Sequence, residues 1–229
     1  YNVAGLANVI YVRLGAMCNR DGASWSDACT TLAEACSIFK NDATGTKTEI
    51  WVAGTNAVTA VPATFPPPRA CTIRGGFNGY EATAADRAKG TVSLVDGIKQ
   101  YNPLMISNGS GVPVTIERVE FTRGYQHALT KTGAGDLTLV DCRITGSGSY
   151  NSANLYGAGL SAYGTSAANL VISNCVFADN GAHAYGAQIY GCGLYAETFK
   201  RVTMDNCSFL TNGVPAPLAA SYVLGAWGA

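Results

Sequence analysis

One pattern recurs four times along the 229-residue chain, and it strongly constrains the fold. In each copy the apolar residues alternate, skip one extra position and then alternate again. The copies are VTIERVEFTRG (114–124), LTLVDCRITGS (137–147), LVISNCVFADN (170–180) and VTMDNCSFLTN (202–212). Alternation with a period of two is typical of a β-strand with one buried face. The pattern therefore predicts two short strands joined by a bend in every copy.

Aligned without gaps, the copies place similar apolar residues in four inward columns. The columns are Val114, Leu137, Leu170 and Val202; Ile116, Leu139, Ile172 and Met204; Val119, Cys142, Cys175 and Cys207; and Phe121, Ile144, Phe177 and Phe209. The fourth column advances by 23, 33 and 32 residues. Twenty-odd residues suit one turn of a three-stranded β-solenoid, so the two later turns carry about ten extra residues each.

The extra residue at each bend is Arg118, Asp141, Asn174 or Asn206. Asparagine tolerates the left-handed backbone conformation and bonds nearby backbone groups. Stacked in successive coils, Asn174 and Asn206 are predicted to form one ladder of side chains. Asn180 and Asn212, after the second strand, are predicted to form another.

A third strand per coil is predicted from GAGLSAY (157–163) and GCGLYAE (191–197), with HALTKTG (127–133) as a weaker copy. The alternative is a β-sandwich with coincidental similarity, but a sandwich does not need the same residue types at coil spacing. The predicted fold class is all-β: a right-handed, single-stranded parallel β-helix, or β-solenoid, with an N-terminal α-helical cap.

The cap is predicted over residues 24–39, where Trp25, Ala28, Leu32 and Phe39 follow helical spacing and Ser24 can act as N-cap. Strands are predicted on either side, at VIYVRL (9–14) and EIWVAG (49–54). We therefore expect an N-terminal coil with its capping helix over 1–56, followed by β-helix coils over 57–229. The two parts would form one continuous domain.

Eight cysteines permit disulfides and an oxidising compartment. Candidates for one or two disulfides that pin the helix are Cys18, Cys29, Cys36 and Cys71. Cys29 and Cys36 lie about 10 Å apart along one helix face and cannot bond each other. For the inward column of Cys142, Cys175 and Cys207, we favour stacked buried thiols over a disulfide.

Composition excludes several function classes. The net charge is zero and only 13% of residues are charged, so no nucleic-acid footprint is present. No apolar run reaches the roughly 18–20 residues of a membrane span.

The C-terminal YVLGAWGA (222–229) is apolar throughout, so either the natural protein continues or this end stacks head-to-tail on another molecule.

Neither catalytic nor metal or cofactor residues are predicted. A glycosidase needs two carboxylates about 5–10 Å apart, and the four columns show no stacked pair. His127 and His183 are expected in solvated loops.

The two longer turns, GSGSYNSANLYG (146–157) and NGAHAYGAQIYG (180–191), are predicted to leave the same side of adjacent coils. They would display Tyr150, Tyr156, Tyr185 and Tyr190 as a contact surface, or pack those rings over the flank.

FADN (177–180) and FLTN (209–212) match an FxxN motif, and YGAGLSA (156–162) and YGCGLYA (190–196) are similar to a GGA-[ILV] motif. The chain thereby resembles the repeats of polymorphic outer-membrane protein autotransporter passengers and other secreted right-handed β-helix proteins. The resemblance implies an exported adhesive or structural module at the cell surface or in extracellular material. It would contact itself or a glycan or protein ligand. The alternative is a polysaccharide-active lyase or glycosidase, because such enzymes share the fold.

Overall fold

A computed structural model describes residues 5–16, 21–57, 63–149, 155–182 and 189–213. Strands are numbered β1 to β22 along the chain. Three parallel sheets, A, B and C, are built by strands that stack in chain order, one coil on the next. The fold is thus an all-β parallel β-helix, as the repeat predicts, and its parallel pairing rules out an antiparallel sandwich.

Sheet A has seven strands and runs through every described coil. They are β1 (Val9–Arg13), β2 (Glu49–Ala53), β5 (Cys71–Phe77), β8 (Val114–Glu117), β11 (Leu137–Val140), β16 (Asn169–Ser173) and β21 (Arg201–Asp205). It begins before residue 56 and continues after it, so the N-terminal coil and the later coils share one sheet.

Sheets B and C supply the second and third strands of the coils. Sheet B holds β3 (Thr55–Ala57), β6 (Ser93–Asp96), β9 (Val119–Thr122), β12 (Arg143–Thr145), β17 (Val176–Ala178) and β22 (Ser208–Leu210). Sheet C holds β4 (Ala63–Phe65), β7 (Leu104–Ser107), β10 (Leu129–Thr132), β15 (Leu160–Tyr163) and β20 (Leu194–Glu197).

The strand register reproduces the predicted columns. Leu137 pairs with Val114 on one side and with Leu170 on the other, and Leu170 pairs with Val202. In sheet B, Phe177 lies between Ile144 and Phe209, and the two phenylalanine rings stack with centroids 4.8 Å apart. These side chains point inward and are buried up to the last described coil. Stacking of like residues therefore fills the core.

The predicted bends have left-handed backbone conformations. Arg118, Asp141, Asn174 and Asn206 have φ values of 54°, 53°, 52° and 48°. Asn206 Nδ2 donates a 2.8 Å hydrogen bond to Asn174 Oδ1, so these two residues form an exposed ladder.

The second asparagine ladder is more deeply placed. Asn180 is fully buried, and its Nδ2 donates to the Ile144 carbonyl at 2.8 Å and to Asn212 Oδ1 at 2.9 Å. Its Oδ1 accepts from the Ser147 backbone N–H at 3.2 Å. Asn212 Nδ2 in turn donates to the Phe177 carbonyl. Each amide side chain of this ladder thus satisfies backbone groups of the preceding coil.

The capping helix is shorter than predicted. Helix α1 spans Leu32–Asn41, with Thr31 rather than Ser24 as its N-cap. Thr31 Oγ1 accepts from the Glu34 backbone N–H while the Glu34 carboxylate accepts from the Thr31 N–H, a capping box. Ser24 instead closes a local turn with Asp27. Leu32, Ala35, Cys36 and Phe39 face the core, as a cap requires.

Two predicted disulfide partners, Cys36 and Cys71, are buried free thiols in the structure. Both belong to the apolar core under α1, and burial raises the pKa of each thiol. Cys29 is also buried in this core, and Cys18 lies outside the described residues. In the inward column, Cys142 and Cys175 are free thiols, and the Cys142 N–H lies 3.4 Å from Cys175 Sγ. That column is therefore a stack of small thiols without a disulfide between Cys142 and Cys175, as we favoured from the sequence.

An unpredicted lysine lies inside the solenoid. Lys131 pairs with Ile106 and Ala162 in an inward column of sheet C and is fully buried. Its Nζ donates to the Thr132 and Gly133 carbonyls and lies 5.7 Å from the centre of the Phe199 ring. Burial lowers the pKa of Lys131 to about 8.

Within the described residues, no helix has the length and hydrophobicity to cross a bilayer. The inward side chains of the last described coil are exposed, with Met204 at 45% and Phe209 at 46%.

The asparagine ladder yields a stability prediction. Asn180→Ala leaves the Ser147 N–H and the Ile144 carbonyl unpaired in the core, so it should lower the free energy of unfolding by about 2–4 kcal/mol. Asn206→Gly is the matched control because it removes an exposed amide at a backbone position that glycine accepts. It should change the free energy by about 0.5 kcal/mol or less. Urea unfolding measures both, and equal costs would contradict the buried role of Asn180.

Lys131 yields a pH prediction. Its folded-state pKa is below the unfolded value, so the unfolded chain binds more protons between about pH 8 and pH 10 and stability should rise across that window. Lys131→Met fills the same space without a buried charge, so it should raise the free energy of unfolding at pH 7 by about 1–3 kcal/mol. It should also flatten the pH dependence. Loss of stability in Lys131→Met would show that the ammonium is a net stabiliser.

Candidate functional site

Two tyrosines stack where the long turns return to the solenoid. Strands β14 (Leu155–Tyr156) and β19 (Ile189–Tyr190) pair in parallel, one coil apart. The Tyr156 and Tyr190 rings are nearly parallel, at 11°, with centroids 4.8 Å apart. Strands β13 (Gly148–Ser149) and β18 (Gly181–Ala182) pair in the same way at the start of these turns. The two turns thus leave and rejoin the solenoid at matching places in adjacent coils, as predicted.

Sheet C adds two more rings to this surface. Tyr163 and Tyr195 point outward because they alternate with inward residues of β15 and β20. Tyr195 meets Tyr156 edge-on at 5.1 Å and lies 5.6 Å from Tyr163. We call Tyr156, Tyr163, Tyr190 and Tyr195 the tyrosine patch. Tyr156 is 40% exposed, and the other three side chains are half-buried.

Two glycines fix the turns that carry the stacked pair. Gly157 and Gly191 have φ values of 72° and 65°, and a Cβ at either position would lie 2.2 Å from the carbonyl oxygen three residues later. The Gly157 N–H also donates to the Tyr190 carbonyl at 2.8 Å, which ties the two turns together. The glycines of the two GxGL segments are therefore needed for close approach and for a left-handed turn.

His127 supports the same turn from the preceding coil. Its Nδ1 lies 2.7 Å from the Gly157 carbonyl oxygen, and since a carbonyl only accepts, Nδ1 must carry the proton. Burial lowers the pKa of His127, although the bond to Gly157 acts in the opposite direction. This histidine was predicted to be solvated, whereas in the structure it is half-buried and its ring is bonded to the Gly157 carbonyl.

One carboxylate borders the tyrosine patch. Tyr195 Oη donates a 2.9 Å hydrogen bond to Glu197 Oε2, and this bond raises the pKa of Tyr195 to about 12. Tyr163 pairs with Glu197 across the sheet, and burial raises the pKa of Tyr163. The phenols of Tyr163 and Tyr195 therefore stay protonated at neutral pH, and the carboxylate adds a negative charge at the edge of the patch.

The structure brings together two of the four tyrosines predicted as a contact surface, Tyr156 and Tyr190. Tyr150 and Tyr185 lie outside the described residues, as does His183. Sequence reasoning missed Tyr163, Tyr195 and Glu197. Their outward positions follow from the alignment of GAGLSAY with GCGLYAE, which places Tyr195 over Ser161 and Glu197 over Tyr163.

A group of charged residues, separate from the tyrosine patch, lies on the outer face of sheet A. Arg74 Nε donates to Glu49 Oε2 at 2.8 Å, and Arg74 Nη1 donates to Glu117 Oε2 at 2.5 Å. Arg87 lies 3.5 Å from the same Glu117 oxygen. These carboxylates were not predicted to approach one another. They are joined because Arg74 pairs with Glu117 directly and with Glu49 on the diagonal.

This charged group resembles a structural network more than a pair of catalytic carboxylates. A glycosidase needs one carboxyl group that holds a proton near the leaving group. Glu49 and Glu117 both accept hydrogen bonds from the Arg74 guanidinium, which lies between them. Among the described residues, no group of three or more His, Cys, Asp or Glu side chains has an arrangement suited to a metal ion. The tyrosine patch is therefore the candidate site.

The patch has the chemistry of a recognition surface. Stacked phenols offer hydroxyl groups and ring edges, while the tilted Tyr195 presents its ring at a different angle. Tyrosine gives a large contact area at a small cost in side-chain entropy and forms hydrogen bonds through its hydroxyl. Such a surface can bind a ligand that is both polar and partly apolar, as sugars are.

Comparison with known proteins identifies the fold family. No curated protein and no solved structure matches the chain. A family model described as a right-handed beta helix region matches residues 69–223, more than half of the chain. That match does not extend to the autotransporter group, so the finer resemblance stays a prediction. The chain belongs to the right-handed beta helix family.

Proposed function

We propose that this β-helix is an exported adhesive module that binds a glycan through the tyrosine patch. The observation that carries the proposal is the cluster of four outward rings with centroid separations of 4.8 to 5.6 Å. Two adjacent coils, their long turns and sheet C all contribute to it. The rings lie on strands and glycine-fixed turns, so the surface is already formed before a ligand arrives.

Burial elsewhere supports this choice. The aromatic residues of the N-terminal coil, Tyr11, Trp25, Trp51 and Phe77, pack on one another and are each at most 5% exposed. Their role is structural. Tyr156 has a similar stack of rings around it and yet keeps 40% of its surface exposed. A ring that remains exposed beside others is available for binding.

The alternative function, a polysaccharide-active enzyme, predicts a different fate for the oligosaccharides that the protein binds. A lyase or glycosidase would shorten an oligosaccharide, whereas a binding module would return it intact. We expect binding without cleavage, because the paired carboxylates Glu49 and Glu117 hold Arg74 between them. Chromatography of oligosaccharides after incubation with the protein separates the two functions.

The patch predicts which substitutions weaken binding. A glycan array identifies a bound oligosaccharide, and calorimetry then measures its affinity for variants. Tyr156→Ala and Tyr195→Ala should each weaken binding about tenfold, because each removes a central ring of the contact surface. Tyr80→Ala is the matched control, since Tyr80 is 68% exposed but stands apart from the patch. Equal losses for Tyr80→Ala and Tyr156→Ala would contradict the site, and absence of any glycan ligand would contradict the function.

Head-to-tail self-association is a second candidate. It would bury Val202, Met204 and Phe209 of the last described coil against another molecule. It predicts unbranched fibres that lengthen with protein concentration in negative-stain electron microscopy. Phe209→Lys should shorten them because it places a charge in the apolar contact. Dispersed rods at every concentration would exclude this candidate.

A further inference from the structure

We propose that the tyrosine patch binds a cationic group, the protonated amine of an amino-sugar glycan, with Glu197 as its counter-charge. This inference rests on the proposed function and adds the charge and class of the ligand. It depends on the pairing of carboxylates across the solenoid and on the electronic character of the four rings.

Arginine neutralises most carboxylates that face outward on the strands. Glu49 and Glu117 bond Arg74, Asp96 bonds Arg123, and Glu120 lies 3.4 Å from Arg143. Glu197 and Asp205 are exceptions, since neither forms an ion pair among the described residues, but only Glu197 borders the tyrosine patch. The Glu197 side chain is exposed and accepts a hydrogen bond from the neutral Tyr195 hydroxyl.

The hydrogen bond from Tyr195 leaves most of the acceptor capacity of Glu197 unused. A carboxylate offers about four lone-pair sites on two oxygens, and the Tyr195 hydroxyl occupies one of them. The remaining sites can accept the N–H groups of an ammonium ion. A neutral sugar hydroxyl can donate to the same sites, but only an ammonium ion adds the attraction between opposite charges.

The rings next to Glu197 favour the same charge. The face of a tyrosine ring carries partial negative charge and attracts a cation within about 6 Å of its centre. Tyr163 and Tyr195 lie on the same face of sheet C as Glu197, and Tyr156 lies 5.1 Å beyond Tyr195. A hydrogen bond to an ionised carboxylate makes the Tyr195 ring richer in electrons. A cation at this edge therefore meets both a carboxylate and electron-rich rings.

The test compares two β-1,4-linked hexamers, glucosamine and N-acetylglucosamine, by calorimetry at about pH 5.5. At this pH the free amines of the glucosamine hexamer carry protons, whereas the acetylated amines of the other hexamer carry no charge. The wild-type protein should bind the glucosamine hexamer about tenfold more tightly than the acetylated one. Glu197→Gln keeps the acceptor for Tyr195 but loses the charge, so it should reduce this ratio to about twofold or less.

Glu120→Gln is the matched control, since it changes the net charge equally on sheet B, away from the patch. It should leave the tenfold ratio intact, and loss of the ratio in Glu120→Gln would overturn the local role of Glu197. Equal binding of both hexamers by wild type would overturn the cation preference but leave the proposed function standing. Binding of neither hexamer or any other glycan would refute the function itself. A lysine-containing peptide that binds as tightly as the glucosamine hexamer would overturn the assignment to a glycan.

Discussion

Register between neighbouring coils is the constraint on which the whole structure depends. Each residue lies above its equivalent in the preceding coil at about the spacing of hydrogen-bonded strands, so a side chain is packed mainly by its own counterpart. Phe177 on Phe209 and Asn180 on Asn212 show this for an apolar and a polar column. A one-residue slip would expose every inward side chain, so burial of one face specifies the register strongly. The bends with positive φ recur at the same place in successive coils.

The candidate site is a product of the same stacking. Two adjacent coils carry long turns that end in Tyr-Gly, and the stacked coils bring the two tyrosines into ring contact. Sheet C then places Tyr163 and Tyr195 beside them. Ladders that stabilise the solenoid and a surface able to bind a ligand thus arise from one geometric rule. The difference is whether the repeated side chain points inward or outward.

Much of the fold could be predicted from the sequence, because the four copies share residue types at each inward position. The columns, the bends and the third strands at Leu160 and Leu194 all follow from that repeat. The start of α1 could not be predicted, since Ser24 with Asp27 and Thr31 with Glu34 are both plausible caps. Burial of Trp25 among other aromatic rings decides between them.

Non-repeating residues were the least predictable. Lys131 occupies a position that its neighbours fill with Ile106 and Ala162, and no sequence rule places a lysine inside a solenoid. The approach of Glu49 to Arg74 depends on a diagonal contact beside an irregularity in strand pairing. Of the site, Tyr156 and Tyr190 were predictable from the matching turns. Tyr163, Tyr195 and Glu197 required the outward side of the third strand to be considered.

Nuclear magnetic resonance of the tyrosine rings tests the central claim most directly. The protein would carry isotope-labelled tyrosine and be titrated with the glucosamine hexamer. We predict saturable shifts of the Tyr156, Tyr163, Tyr190 and Tyr195 ring signals, while the signal of Tyr80 stays constant. Saturable shifts at Tyr80 or Tyr11, with the four patch signals unchanged, would contradict the assignment of binding to this surface.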